Sequence, residues 1–151
     1  MFSELLVVCV GNICRSPMAE AILRDRLADR PISIRSAGLH ALTGAPIDGL
    51  AREVLDLHGL ELPGHRSQQV DRQMLRRADL ILSMEQPHLA SLFRLAPEVR
   101  GKTFLIGQWQ HAAEIVDPYK RPRAAFEQTY THLSRCVDDW LPYIQSGDPN
   151  Q

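Results

Sequence analysis

Cys9 and Arg15 stand six positions apart in Cys9-Val10-Gly11-Asn12-Ile13-Cys14-Arg15-Ser16-Pro17. The pattern places a thiol at the floor of a short loop that opens into a helix. Backbone N–H groups of such a loop, aimed inward at a helix N-terminus, make a site for a phosphate-like dianion. The same positive field favours the thiolate, which is the nucleophilic form. Arg15 adds a planar fork of donors suited to two phosphate oxygens. Nucleophile and anion site together read as phosphoryl transfer through a phosphocysteine. The phosphate-binding set is Val10, Gly11, Asn12, Ile13, Cys14, Arg15 and Ser16. Gly11 lets the backbone approach the anion at φ > 0. Asn12 tolerates the left-handed region, and its amide can tie the loop together. Ser16 can donate to the thiolate, or cap the helix before Pro17, or do both.

An aryl phosphate leaves poorly as a free phenolate, so the first step asks for a general acid. Asp117-Pro118-Tyr119 is the candidate. Pro118 restrains the backbone of Asp117, and Tyr119 can wall a pocket and stack on a ring. From spacing alone the tripeptide also reads as an ordinary surface turn, since Asp-Pro pairs are frequent in loops. Only the fold can bring residue 117 to residue 9.

The elements that would do so follow from hydropathy. Residues 5–10 form an unbroken apolar run, as in a strand covered on both faces. A helix is predicted over 17–29, a strand over 32–37, and a second helix near Asp48 with Gly59 just past its end. A short helix over 71–77, a strand over 80–82, a helix over 87–95 and a strand over 103–106 follow. The last helix starts near Pro122, with Phe126, Tyr130, Leu133, Val137, Trp140 and Leu141 on its inner face, and 146–151 reads as a disordered tail. Alternation of this kind predicts an α/β fold of three layers: a four-stranded parallel sheet of order 2-1-3-4, flavodoxin-like, with helices on both faces. Ligands of such sheets bind beyond the C-terminal strand ends beside strand 1, where Cys9 falls.

With 151 residues the chain is expected to be one domain, 1–151. A net charge of -1 argues against extended nucleic-acid binding. The apolar runs are too short for a membrane span, and Met1-Phe2-Ser3-Glu4 lacks the basic start of a signal peptide. Three cysteines suit a reducing compartment, so a cytoplasmic location is expected. His40, His58, His88, His111 and His132 show no metal-ligand spacing, and neither metal nor cofactor is expected. Cys14 either forms a reversible disulfide with Cys9 that protects the nucleophile, or packs beneath the loop. Cys136 reads as structural. The run Lys120-Arg121-Pro122-Arg123 either steers acidic or multiply phosphorylated peptides or is a solvated charge run.

The N-terminal Val-Cys-Val-Gly-Asn-Ile-Cys-Arg-Ser-Pro, the late Asp-Pro-Tyr, Ser36-Ala37-Gly38, Gly64-His65 and Asp79-Leu80-Ile81-Leu82-Ser83-Met84 together resemble the low-molecular-weight protein tyrosine phosphatases over essentially the whole chain. Other tyrosine phosphatases carry the Cys-x5-Arg loop late, usually after a His; here it comes first. The resemblance implies Cys9 as nucleophile, Arg15 as phosphate binder and Asp117 as acid and then base. It implies that Asn12, Ser16, Ser36 and His65 hold the loop in shape, and that Tyr119 borders the substrate cleft. Leu39-His40-Ala41-Leu42 replaces the aromatic-bearing loop of eukaryotic members, so Leu39 and His40 are expected at a less aromatic cleft wall. The resemblance is to the bacterial branch. It implies a tyrosine-phosphorylated partner, an autophosphorylated bacterial tyrosine kinase of capsule or exopolysaccharide export, with inorganic phosphate as product and inhibitor and a monomeric enzyme. Two rivals remain: a thiol-dependent arsenate reductase, which needs further cysteines for a disulfide relay, and a non-catalytic phosphotyrosine-binding module.

Overall fold

The computed structural model describes residues 2–147. Four strands, β1 (Glu4–Cys9), β2 (Ser33–Gly38), β3 (Leu80–Ser83) and β4 (Thr103–Leu105), pair in parallel in the order β2-β1-β3-β4. The expected sheet order is the one found. Side chains alternate across β1. Leu5, Val7 and Cys9 join one core cluster, while Leu6 and Val8 join the other. The first cluster is completed by α1 (Arg15–Arg26), α2 (Gly49–Leu57) and α5 (Arg123–Ser146), the second by α3 (Arg72–Arg77) and α4 (Gln86–Leu95). Helices therefore cover both faces, which is why β1 needed an unbroken apolar run.

Local signals set the element ends. Asp48 caps α2 by accepting from the N–H groups of Leu50 and Ala51, and Gly59, at φ +72°, lies just past its C-cap His58. Asp71 caps α3 through the N–H of Met74. Three expectations shift. Helix α1 begins at Arg15 rather than at Pro17 and ends at Arg26, and Ser16, already inside it, does not cap it. Helix α5 runs to Ser146 and closes on left-handed Gly147, so the expected tail loses its first two residues; residues 148–151 lie outside the described part. Its buried face uses Ile144, with Leu141 only half-buried, because the stripe drifts around so long a helix. A 3-10 helix over Pro97–Lys102, not expected, leads into β4.

Candidate active site

Beyond β1 the chain turns through residues 10–14 before α1 begins. Every carbonyl from Cys9 to Cys14 accepts a hydrogen bond from the N–H of Leu39, His40, Leu42, Asp48 or Met18, or, at Asn12, from His65 Nε2 and Ser67 Oγ. Those bonds turn the carbonyls outward. Among the described residues, the N–H groups of Val10 to Cys14 donate to no protein group. Consecutive amides without a protein acceptor are rare and point to an anion. Asn12, at φ 58°, supplies the left-handed turn; Gly11 does not, contrary to expectation. Gly38 matters instead, because a Cβ there would come within 2.4 Å of the Val10 carbonyl oxygen.

A buried hydrogen-bonded chain runs behind the loop. Arg24 pairs with Glu20, and Ser36 Oγ donates to Glu20 Oε1 at 2.6 Å. The Asn12 amide then donates to Ser36 Oγ (3.0 Å) and to Ser16 Oγ (2.8 Å). With its acceptor side taken, the Ser16 hydroxyl is left to donate to Cys9 Sγ, 2.9 Å away. The carboxylate at the far end thus sets the polarity of the chain and aims a donor at the sulfur. Asn12 Oδ1 also accepts from the N–H of Gln68.

Arg15 is 2% exposed. Its Nη1 donates to Glu85 Oε2 (2.5 Å) and to the Ile115 carbonyl (2.8 Å), and Nη2 lies 3.7 Å from Asp117 Oδ2. The guanidinium is gripped on one edge, which leaves Nε and Nη2 for a ligand.

Asp117 is carried by the segment after β4. Ile115 donates its N–H to the Met84 carbonyl, and Thr129 of α5 donates to the Val116 carbonyl. Gly107 lets this segment double back, since a Cβ would meet the Ala113 oxygen at 2.1 Å. Buried Pro118 follows, and the Tyr119 N–H donates to Asp117 Oδ1. The carboxyl is about half exposed at the cleft mouth, so the tripeptide is a turn and a site component at once.

Cys9 to Arg15, His40, Leu42, Asp117 and Tyr119 line one cleft of about 210 Å³. Larger hollows of about 440 and 300 Å³ flank the 61–66 segment and contain neither Cys9 nor Arg15. Leu39 does not reach the cleft; it packs with the core cluster on the α3/α4 face, and Leu42 takes the wall instead. Cys14 is a buried free thiol. Burial first, then Asp48, Asp117 and Cys9, push its titration well above the ordinary thiol range, against the pull of Arg15. Glu20, Ser67, Gln68 and Glu85 escaped the sequence reading. Glu85 had a signal, a carboxylate two residues past the end of a buried strand that neighbours β1.

The model of the low molecular weight phosphotyrosine protein phosphatases matches residues 4–148. The chain belongs to that family. This phosphatase is 47% identical over 139 residues to the low molecular weight protein-tyrosine-phosphatase Etp of Escherichia coli K12, covering 92% of this chain and 93% of Etp. It is 46% identical over 151 residues to Wzb of Salmonella typhimurium, covering 99% and 100%. A crystal structure of Wzb from Escherichia coli K30 in complex with sulphate superposes with a TM-score of 0.90 at 42% identity, over 95% and 99% of the two chains. The phosphatase is thus a bacterial protein-tyrosine-phosphatase of the Wzb and Etp type. Among its described residues no helix is long and apolar enough to cross a membrane.

Proposed function

We propose that the phosphatase hydrolyses phosphotyrosine in a protein substrate by two displacements. The outward-turned carbonyls of residues 9–14 carry this reading, because they leave a ring of amides for the phosphoryl oxygens. Cys9 Sγ attacks phosphorus in line while the loop amides and Arg15 hold the equatorial oxygens. The P–O bond to tyrosine breaks, and Asp117 gives its proton to the leaving oxygen. Ionised Asp117 then takes a proton from water, the water oxygen attacks phosphorus, and the S–P bond breaks to return the thiolate. Ser16 donates to sulfur each time it carries charge. Flattening of the PO3 unit suits the Arg15 fork and the amides better than the ground state does. Cys14 and Ser16 belong to the phosphate loop, Ser36 and His65 support it, and Tyr119, His40 and Leu42 form the cleft wall.

Wzb of Escherichia coli K30 has been solved in complex with sulphate and Wzb of Vibrio vulnificus in complex with benzylphosphonate. Both ligands support a phosphate-like oxyanion, the second with an aromatic arm, as the ligand of this enzyme's amide ring. The kinship to Wzb and Etp supports a bacterial tyrosine kinase of exopolysaccharide production as the phosphorylated partner, met by a monomeric, single-domain enzyme in the cytoplasm. Inorganic phosphate would be both product and inhibitor, and the loop supplies the charge that a metal supplies elsewhere. Arsenate reduction is disfavoured because Cys136 is fully buried and burial pushes its thiol up to about 12, unsuited to a relay. A binding module needs no Asp117 in the cleft.

Phosphate release from an aryl phosphate in EDTA at mildly acidic pH tests the reading. Turnover by the native enzyme and none by Cys9→Ser is expected. Inactivity of the reduced native enzyme, or equal activity of the variant, overturns it.

A further inference from the structure

Helix α4 begins beside the site, and the hydrogen bonds of its first turn are unusual. Glu85 is its N-cap residue, yet its carboxylate caps nothing. The Gln86 N–H donates to Glu114 Oε2, Pro87 has no N–H, and the His88 N–H donates to the Glu85 carbonyl. The first turn is satisfied without the Glu85 side chain, which is free to reach Arg15 Nη1 through Oε2. His88 stands one turn along. Its ring is buried, its Nε2 lies 3.6 Å from the same Oε2, and its Nδ1 is buried without a hydrogen-bond partner among the described residues.

We infer that His88 is a positioning residue: as a neutral imidazole with its proton on Nε2, it holds the Glu85 carboxylate on Arg15 and so presents the Arg15 fork to phosphate. The inference rests on the phosphatase reading of this same site. The tautomer follows from the surroundings. An N–H on Nδ1 would be a buried donor with no acceptor, whereas a bare lone pair there costs less. Nε2–H instead faces an oxygen already drawn toward Arg15. At 3.6 Å the contact is longer than a hydrogen bond, so its action is a directed dipole beside the carboxylate, enough to disfavour rotation away from Arg15.

A charged His88 would undo the arrangement by competing with Arg15 for one oxygen. The neighbours decide against that form. Burial and Arg15 hold the imidazole below its ordinary value, opposed by Glu85, Glu114 and Asp117. Both therefore favour the neutral ring in the folded enzyme. Nothing in this role has the ring touch substrate; it acts only through Glu85.

His88→Leu keeps apolar volume and removes the donor. His88→Gln returns an N–H near the Nε2 position, and His88→Asn places its N–H too short to reach. In the full-length enzyme, kcat/KM for an aryl phosphate and calorimetric affinity for inorganic phosphate are measured for each, alone and with Glu85→Gln. His88→Leu and His88→Asn should each lower kcat/KM about 10-fold and weaken phosphate several-fold, with His88→Gln restoring most of both. With Glu85→Gln already present, His88→Leu should add less than about 2-fold, since its only route is gone. A structural role would instead show losses that follow thermal stability and multiply in the double variant. Either that result, native-like kinetics in His88→Leu, or equal behaviour of the Gln and Asn variants overturns the inference. Should the native enzyme bind phosphate yet release none from the ester, the phosphatase reading falls, and phosphate affinity across the variants still decides the role of His88.

Discussion

Ser16 shows how a single hydroxyl acquires direction. Its oxygen accepts from Asn12, whose other N–H is spent on Ser36, which is itself committed to Glu20. The remaining proton therefore points to Cys9. Ser16→Ala removes that donor and leaves the loop carbonyls anchored. Loss of one bond to a charged atom is worth about 1.5–3 kcal/mol, so kcat should fall roughly 10- to 100-fold while KM changes little. Asn12→Ala removes more: two donated bonds, one accepted bond and a residue at ease in the left-handed region. It should therefore be the worse variant in kcat/KM and in thermal stability alike. Steady-state kinetics on the pair would overturn the chain of donors if Ser16→Ala kept native kcat.

At the scale of elements, Asp48 joins the loop to the scaffold. Its carboxylate caps α2, and its own N–H donates to the Ile13 carbonyl in the phosphate loop. Asp48→Ala should cost about 1 kcal/mol in urea unfolding and Asp48→Asn much less, because Asn caps nearly as well. Equal losses would assign the effect to something other than the cap. This helix was legible in the chain because cap, apolar stripe and Gly59 all agree. So were all four strands, β1, β3 and β4 as short apolar runs and β2 as the alternating Ile32-Ser33-Ile34-Arg35-Ser36-Ala37 that ends at Gly38. The start of α1 was misplaced at Pro17 because proline favours a first turn, whereas the phosphate loop winds straight into helix at Arg15. Cys9, Arg15 and Asp117 converge on one cleft, as their types suggested. What sequence spacing hid were the long-range partners. Glu85 reaches Arg15 across 70 positions and Ser67 reaches Asn12 across 55, and no periodicity encodes a contact between loops. Leu42 rather than Leu39 lines the cleft for a related reason, since past Gly38 strand alternation no longer tells which side chain faces it.

Over the whole molecule, acid acts on the fold in two stages. Burial, helped by Arg15 at His88 and by Arg135 at His132, holds both imidazoles below their ordinary value. Unfolded, they would take up protons near pH 6.5, about the free-imidazole value, while the folded enzyme still refuses them. The unfolded state then binds more protons, so stability falls as pH drops through that region and levels off below the folded values. Asp79 and Glu98 act lower. Burial works against the Asp79 carboxylate, but the N–H groups of Ser3 and Glu4 hold it below its usual range, and its own N–H with Arg72 takes Glu98 down to about 2. Their contribution is complete above about pH 4 and disappears as pH falls through the folded values. Thermal melts should therefore show a shallow fall in Tm from pH 7 to 5 and a second fall below about pH 4. His132→Gln, remote from the cleft, should flatten the first stage, and a flat native Tm between pH 7 and 5 would refute it. Assays of the phosphatase in acid would therefore have to separate catalysis from unfolding. Loss of rate that grows with incubation in acid would report unfolding, and loss present at mixing would report an effect on catalysis itself.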